Sequence, residues 1–272
     1  MGTRGLGIDY SELHRIDSPA NQALRKDLWL EGDDLGQHSF VTPAYFDRFA
    51  AQLGIGPDSR VLDVGSGTGG PAVHIASRTG CRMTGLEVNA VGVEMARRIT
   101  AGAGLGDRVD FVQADGMDMP FEDASFDVVI SMNVMNVFED KVGLFREVRR
   151  VLRPGGTWAF LSGTFDFGPE DAGVREKLAR GYAIPQYTDT LAGYKAKLAE
   201  AGFVVDEVTE FISDFRDTMV RWLAAWTKHR DAIAAEQGEE QTDYHLVYFT
   251  EYLGMIDAGK ASNHFVVSHR PV

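Results

Sequence analysis

The chain has 272 residues, of which 44% are hydrophobic and 25% charged, and its 27 Lys and Arg against 40 Asp and Glu give a formal net charge of −13. That length suits one α/β domain with an appended lid, and the negative charge opposes a phosphate backbone, so no nucleic acid partner is expected. No window has the apolar length of a transmembrane helix, and the opening MGTRGLGIDYSELHR lacks the apolar core of a signal peptide; a cytoplasmic protein without a membrane partner is expected. The single cysteine, Cys81, opens an apolar strand and is expected to be buried and inert.

In chain order, residues 1–56 read as a cap, with helical patterning over Asn21 to Leu28 and from Pro43 to Leu53, the second with proline near its start. Residues 57–165 read as the first half of a sheet. Val61, Leu62 and Val64 suit a strand covered on both faces. Gly65, Gly67, Gly69 and Gly70 follow, letting backbone N–H groups approach a ligand at the start of the next helix. A cofactor is expected there. Gly65, Gly67 and Gly70 also fit the spacing of a dinucleotide site, and Glu87, ending a second strand from Arg82, suits the ribose hydroxyls of either NAD or S-adenosylmethionine.

The later segments separate these two. After a third strand, Val109 to Gln113, Asp115 is placed to accept from an adenine amino group beside Gly116. A fourth strand, Phe126 to Ser131, leads through a helix to Leu152-Arg153-Pro154-Gly155-Gly156 and a fifth strand, Thr157 to Leu161. VLDVGSGTGG, Glu87, Asp115-Gly116, SFDVVIS and LRPGG, in this order, make Val61 to Phe160 resemble a class I S-adenosylmethionine-dependent methyltransferase of the small-molecule branch. The resemblance implies a Rossmann-like seven-stranded α/β sheet, mostly parallel with one antiparallel strand, in a single domain over residues 1–272. It also implies S-adenosyl-L-methionine as cofactor, held by Ser39, Gly65, Ser66, Gly67, Glu87, Val88, Asp115, Gly116 and Asn133.

Residues 166–272 then form the substrate half: a helix over Thr190 to Ala201, a strand over Phe203 to Phe211, a two-helix lid within 212–262, and a last strand over Asn263 to His269. Phe215, Met219, Trp222, Trp226 and Ile233 recur at helical spacing, as do Tyr244, Tyr248 and Tyr252. Such stripes pack as core or line a pocket for a planar or cationic molecule. On the second reading Trp222, Trp226, Tyr244 and Tyr248 bind the substrate with His14 and Gln37. The twelve acidic and four basic residues of 206–257 favour a neutral or cationic substrate.

Gly32 to Phe40, with the polar Gln37-His38-Ser39 inside it, resembles the N-terminal loop of phosphoethanolamine, sarcosine/dimethylglycine and natural-product tailoring methyltransferases, where the residue in the place of Ser39 touches the methionine part of the cofactor. Several relatives carry a histidine close to positions 136 and 137, where this chain has Asn136 and Val137, so a base must come from elsewhere. His38 is the candidate base, ahead of His14 and His245, with Asn136 near the transferred methyl. No H-x-x-x-H, C-x-x-C or carboxylate cluster suggests a metal. The expected activity is methyl transfer to oxygen, nitrogen or carbon of a small molecule, a bacterial secondary metabolite, by a monomer or homodimer. N-methylation of a small primary-metabolite amine and a non-catalytic cofactor-binding regulator stay open as alternatives.

Overall fold

A computed structural model describes residues 16–180 and 186–272. One seven-stranded sheet runs in the order β3-β2-β1-β4-β5-β7-β6, with β1 at Arg60–Val64, β2 at Arg82–Glu87, β3 at Val109–Gln113, β4 at Phe126–Met132, β5 at Leu152–Phe165, β6 at Val204–Glu210 and β7 at Ala261–His269. Strands β1 to β5 pair in parallel, and β7 runs antiparallel to both β5 and β6. The strand order reverses between β1 and β4, which opens a crevice at their carboxyl ends, the place where open α/β sheets bind ligands.

The described helices are α1 (Pro19–Leu28), α2 (Pro43–Gln52), α3 (Gly70–Thr79), α4 (Ala90–Gly102), α5 (Lys141–Val151), α6 (Ala172–Arg180), α7 (Leu191–Glu200), α8 (Ser213–Gln237) and α9 (Glu239–Asp257). Two apolar layers sandwich the sheet. On one face, α2, α3 and α4 set Phe46, Phe49, Ile75 and Val93 against Val61, Met83 and Phe265, with Phe49 stacked on Phe265 at 4.0 Å. On the other, α5 and α7 bring Phe145 and Tyr194 against Phe160 at 5.8 and 5.3 Å. The near-continuous apolar runs of β1 and β4 follow from this burial on both sides.

Strand β5 is longer than the sequence pattern indicates. It begins at Leu152, where the Arg153–Gly156 stretch is skipped in the pairing with β4: Phe126 faces Leu152 and Val128 faces Thr157. The chain then pairs with β7 residue by residue from Thr157 to Phe165.

Helices α8 and α9 form an antiparallel hairpin that turns at Gly238, whose φ of +98° suits a residue without a Cβ. Helix α1 lies across α8, and the Glu236 carboxylate accepts from Ser18 Oγ at 2.6 Å and from the Ala20 N–H at 3.0 Å, capping α1 from the lid. No described helix is long and apolar enough to cross a membrane.

Candidate active site

A cavity of about 470 Å³ lies over the carboxyl ends of β1, β2 and β4, walled by the 37–40 loop on one side and by β5 and the lid on another. The glycine-rich turn forms its floor. Gly65 has φ +76°, and a Cβ there would lie 2.7 Å from the Val134 side chain, while a Cβ on Gly70 would overlap the Leu35 carbonyl oxygen. The N-terminal loop is therefore seated directly on the start of α3, where Thr68 Oγ1 donates to the Gly36 carbonyl at 2.7 Å. Arg25, itself buried, holds the same loop by donating to Asp34 and, at 3.2 Å, to the Gln37 carbonyl.

Three carboxylates face this end. Glu87 ends β2, and its two oxygens accept from the N–H groups of Gly67 and Asn89, each at 2.9 Å, which fixes the carboxylate beside the glycine turn. Asp115 is oriented by the Met117 N–H at 2.9 Å, and Phe138 approaches Gly116 so closely that a Cβ there would lie 3.1 Å from the ring. The third, Asp63 in β1, was not among the residues singled out from the sequence. Desolvation, and then the nearby Glu87 charge, push its carboxyl up to about 7. An acidic residue inside an otherwise apolar strand, just before a glycine turn, was the available signal.

The site also holds polar atoms that await partners. Ser39 Oγ, Ser66 Oγ and Asn133 Nδ2 line the cavity buried and without a hydrogen-bond partner among the described residues. Asn133 has φ +60°, a conformation uncommon outside glycine that is found at ligand sites, and its N–H donates to the Leu161 carbonyl at 2.8 Å. A helix N-terminus, three carboxylates and these orphaned groups form an end of the cavity that can both donate and accept hydrogen bonds to a polar ligand. No group of metal-binding side chains occurs among the described residues.

The methyltransferase-domain family matches residues 62–160. The 27-O-demethylrifamycin SV methyltransferase of Amycolatopsis mediterranei is 34% identical over 212 residues, covering 76% of this chain and 73% of that one. The chain belongs to the class I S-adenosylmethionine-dependent methyltransferases. It is an enzyme of that family, with S-adenosylmethionine as cofactor and small molecules as substrates. A sterol 24-C-methyltransferase of Eremothecium gossypii is 36% identical over 180 residues, 63% of this chain; the match spans only 48% of that relative's length. Among solved structures, the [4+2]-cyclase SpnF shares the methyltransferase fold with a TM-score of 0.74 at 24% identity, covering 85% of this chain and 81% of that one.

Toward the lid the same cavity becomes aromatic, lined by Phe40, Phe165, Phe215, Tyr187, Tyr248 and Tyr252. His38, Val88 and Asn136 also line it. Asn136 is tied to the far wall: Nδ2 donates to Gln186 Oε1, and its carbonyl accepts from the Tyr187 N–H at 2.6 Å. The buried Lys141 joins the same two walls, donating to the Phe138 and Tyr187 carbonyls at 2.9 and 2.6 Å. Nothing in the sequence pattern pointed to Gln186 or Tyr187, because they reach the site only through these long-range bonds.

Several expected substrate contacts lie elsewhere. Trp222 and Trp226 do not line the cavity; both are buried inside the lid, Trp222 edge-on to Trp29 and Phe249 at 6.5 and 5.6 Å, and Trp226 stacked on His245 at 4.2 Å. They face inward because α1 and α9 cover that side of α8. Tyr244 is also outside the lining, its hydroxyl donating to Glu240 at 2.9 Å; of the tyrosine stripe, only Tyr248 and Tyr252 reach the cavity. Gln37 borders it, yet both ends of its amide are engaged by the loop, accepting from the Leu35 N–H at 2.7 Å and donating to the Asp33 and Val41 carbonyls. Gln37 is thus a brace for the loop. His245 is buried in the lid, where desolvation takes it down to about 4, which removes it as an alternative base in the cavity. His14 lies outside the described residues.

Proposed function

We propose that this methyltransferase modifies an oxygen, nitrogen or carbon of a bacterial secondary metabolite held between the 37–40 loop and the lid. The observation that carries this reading is the division of one cavity into a carboxylate-lined glycine turn and an aromatic end, joined at Asn133 and Asn136. Similarity to a rifamycin methyltransferase over three quarters of the chain supports a natural-product acceptor.

Bound on the turn, S-adenosylmethionine would supply an electrophilic methyl on a cationic sulfur, with the electron pair of the S–C bond kept by sulfur and S-adenosylhomocysteine as the leaving group. The protein's part is positioning and exclusion of water. Glu87 holds the ribose hydroxyls, Asp115 the adenine amino group, and Ser39, Ser66 and Asn133 the amino-acid portion. The aromatic rings fix the acceptor in line. The proton released by a hydroxyl acceptor passes to His38, the one imidazole that lines the cavity among the described residues.

The test is formation of S-adenosylhomocysteine from S-adenosylmethionine in the presence of a mixed metabolite library, followed by mass detection of the methylated product. Turnover supports methyl transfer, and cofactor binding without turnover by any acceptor would instead favour a regulator, or a catalyst of another reaction on this fold. With a hydroxyl acceptor, His38→Ala is expected to lower kcat by roughly 10²–10⁴ with cofactor affinity preserved. A rate within a few-fold of the parent would reject His38 as the base and leave a positioning mechanism.

A further inference from the structure

The charge of the cavity is one-sided. Among the described residues its acidic and basic lining groups, tyrosine phenols aside, are the carboxyls of Asp63, Glu87, Asp115, Glu139 and Asp140 and the imidazole of His38, with no lysine or arginine. A phosphate or diphosphate seated there meets no lining ammonium or guanidinium to offset its desolvation, since Lys141 lies behind the wall and donates to the Phe138 and Tyr187 carbonyls, within a chain whose formal net charge is −13. The acceptor end adds no charged side chain among the described residues, and its rings interlock: Phe165 lies 4.6 Å from Tyr252, and Phe215 and Tyr248 lie 5.6 and 5.9 Å from it.

Within this apolar surface one polar atom is out of place. The Tyr252 hydroxyl is buried and has no hydrogen-bond partner among the described residues. It sits against Gly163 of β5, where a Cβ would overlap the hydroxyl oxygen, and both residues line the cavity. Burial pushes the phenol well above its ordinary range, so the group keeps its proton and acts as a donor. A buried hydroxyl left without a partner is costly unless a ligand atom completes it.

We propose that the aromatic end takes an uncharged, largely apolar acceptor with an oxygen placed to accept from the Tyr252 hydroxyl, and turns away acceptors bearing a phosphate or diphosphate. This rests on the reading of the cavity as the methyl-transfer site.

Three probes of one carbon skeleton test it: geraniol, the hydrocarbon myrcene, and geranyl diphosphate with and without Mg²⁺, each titrated by tryptophan fluorescence into the full chain saturated with S-adenosylhomocysteine. Geraniol is expected to bind about tenfold or more tighter than geranyl diphosphate in either condition. Tyr252→Phe, which keeps the ring, is expected to weaken geraniol by about five- to tenfold and to leave myrcene within about twofold. Equal or tighter binding of geranyl diphosphate, an unchanged geraniol affinity in Tyr252→Phe, or no binding of geraniol and myrcene alike would each overturn the proposal. A chain that does not bind S-adenosylhomocysteine at all would overturn the underlying methyl-transfer reading, a result visible before any probe is added.

Discussion

The two ends of the cavity are built by different means. The cofactor end is made of backbone N–H groups, glycines and carboxylates, each delivered by the few residues that follow one strand: Gly65 to Gly70 after β1, Glu87 at the end of β2, Asp115 after β3. The acceptor end is lined by rings from segments far apart in the chain, with Phe40 meeting Phe215 at 5.0 Å and Phe215 meeting Tyr252 at 5.6 Å. On the proposed reading, charge and hydrogen bonding are recognised by local segments, whereas shape is recognised through the packing of the lid. Changes in the lid core and changes on the glycine turn are accordingly expected to separate stability from cofactor affinity.

The largest separation is expected from Trp226→Ala. This ring is buried between α8 and α9, and its removal is expected to destabilise the protein by about 3–5 kcal/mol in denaturant unfolding while cofactor affinity of the folded protein stays unchanged. A parallel loss of cofactor affinity would break the division. Glu87→Ala sharpens it from the other side: loss of the carboxylate proposed to hold the ribose is expected to weaken S-adenosylmethionine binding by about 1.5–3 kcal/mol in calorimetry, because charge-assisted bonds are lost.

A smaller, pH-dependent effect is expected from Asp63. Its carboxyl, raised to about 7, holds a proton in the free folded protein that the unfolded chain has already released. The stability it contributes is therefore present at low pH and lost as pH rises from about 4 through 7. A cationic cofactor favours the ionised carboxylate, so binding is expected to release a proton and to strengthen with pH, by less than about tenfold per unit around neutrality. Asp63→Asn is expected to flatten both profiles, read by calorimetry in buffers of different ionisation enthalpy. Smallest of all, Tyr244→Phe removes a half-exposed hydroxyl bonded to Glu240 and is expected to shift stability by about 1 kcal/mol or less, with kinetics unchanged.

The same contrast explains what was legible in the sequence. Strand β3 over Val109–Gln113 and the start of α2 at Pro43 follow from local patterns, and so do the positions of Glu87 and Asp115 after their strands. Strand β5 outgrew its pattern because its last residues are held by β7, a partner about a hundred residues away. Helix α6, Ala172–Arg180, was not anticipated; Leu178, buried against the lid, anchors it. In the lid, helical spacing identified the stripes but could not say which end of each helix lies over the sheet edge. That register decides why Tyr248 and Tyr252 line the cavity while Trp222 and Trp226 pack inside.

Hydrogen exchange of the full chain with and without S-adenosylhomocysteine tests this division of the cavity most directly. Slowed exchange is expected at Gly65 to Gly70, Glu87 to Val91 and Asp115 to Met117, with the amides of α9 unchanged. Protection confined to α8 and α9, with none on the glycine turn, would contradict it.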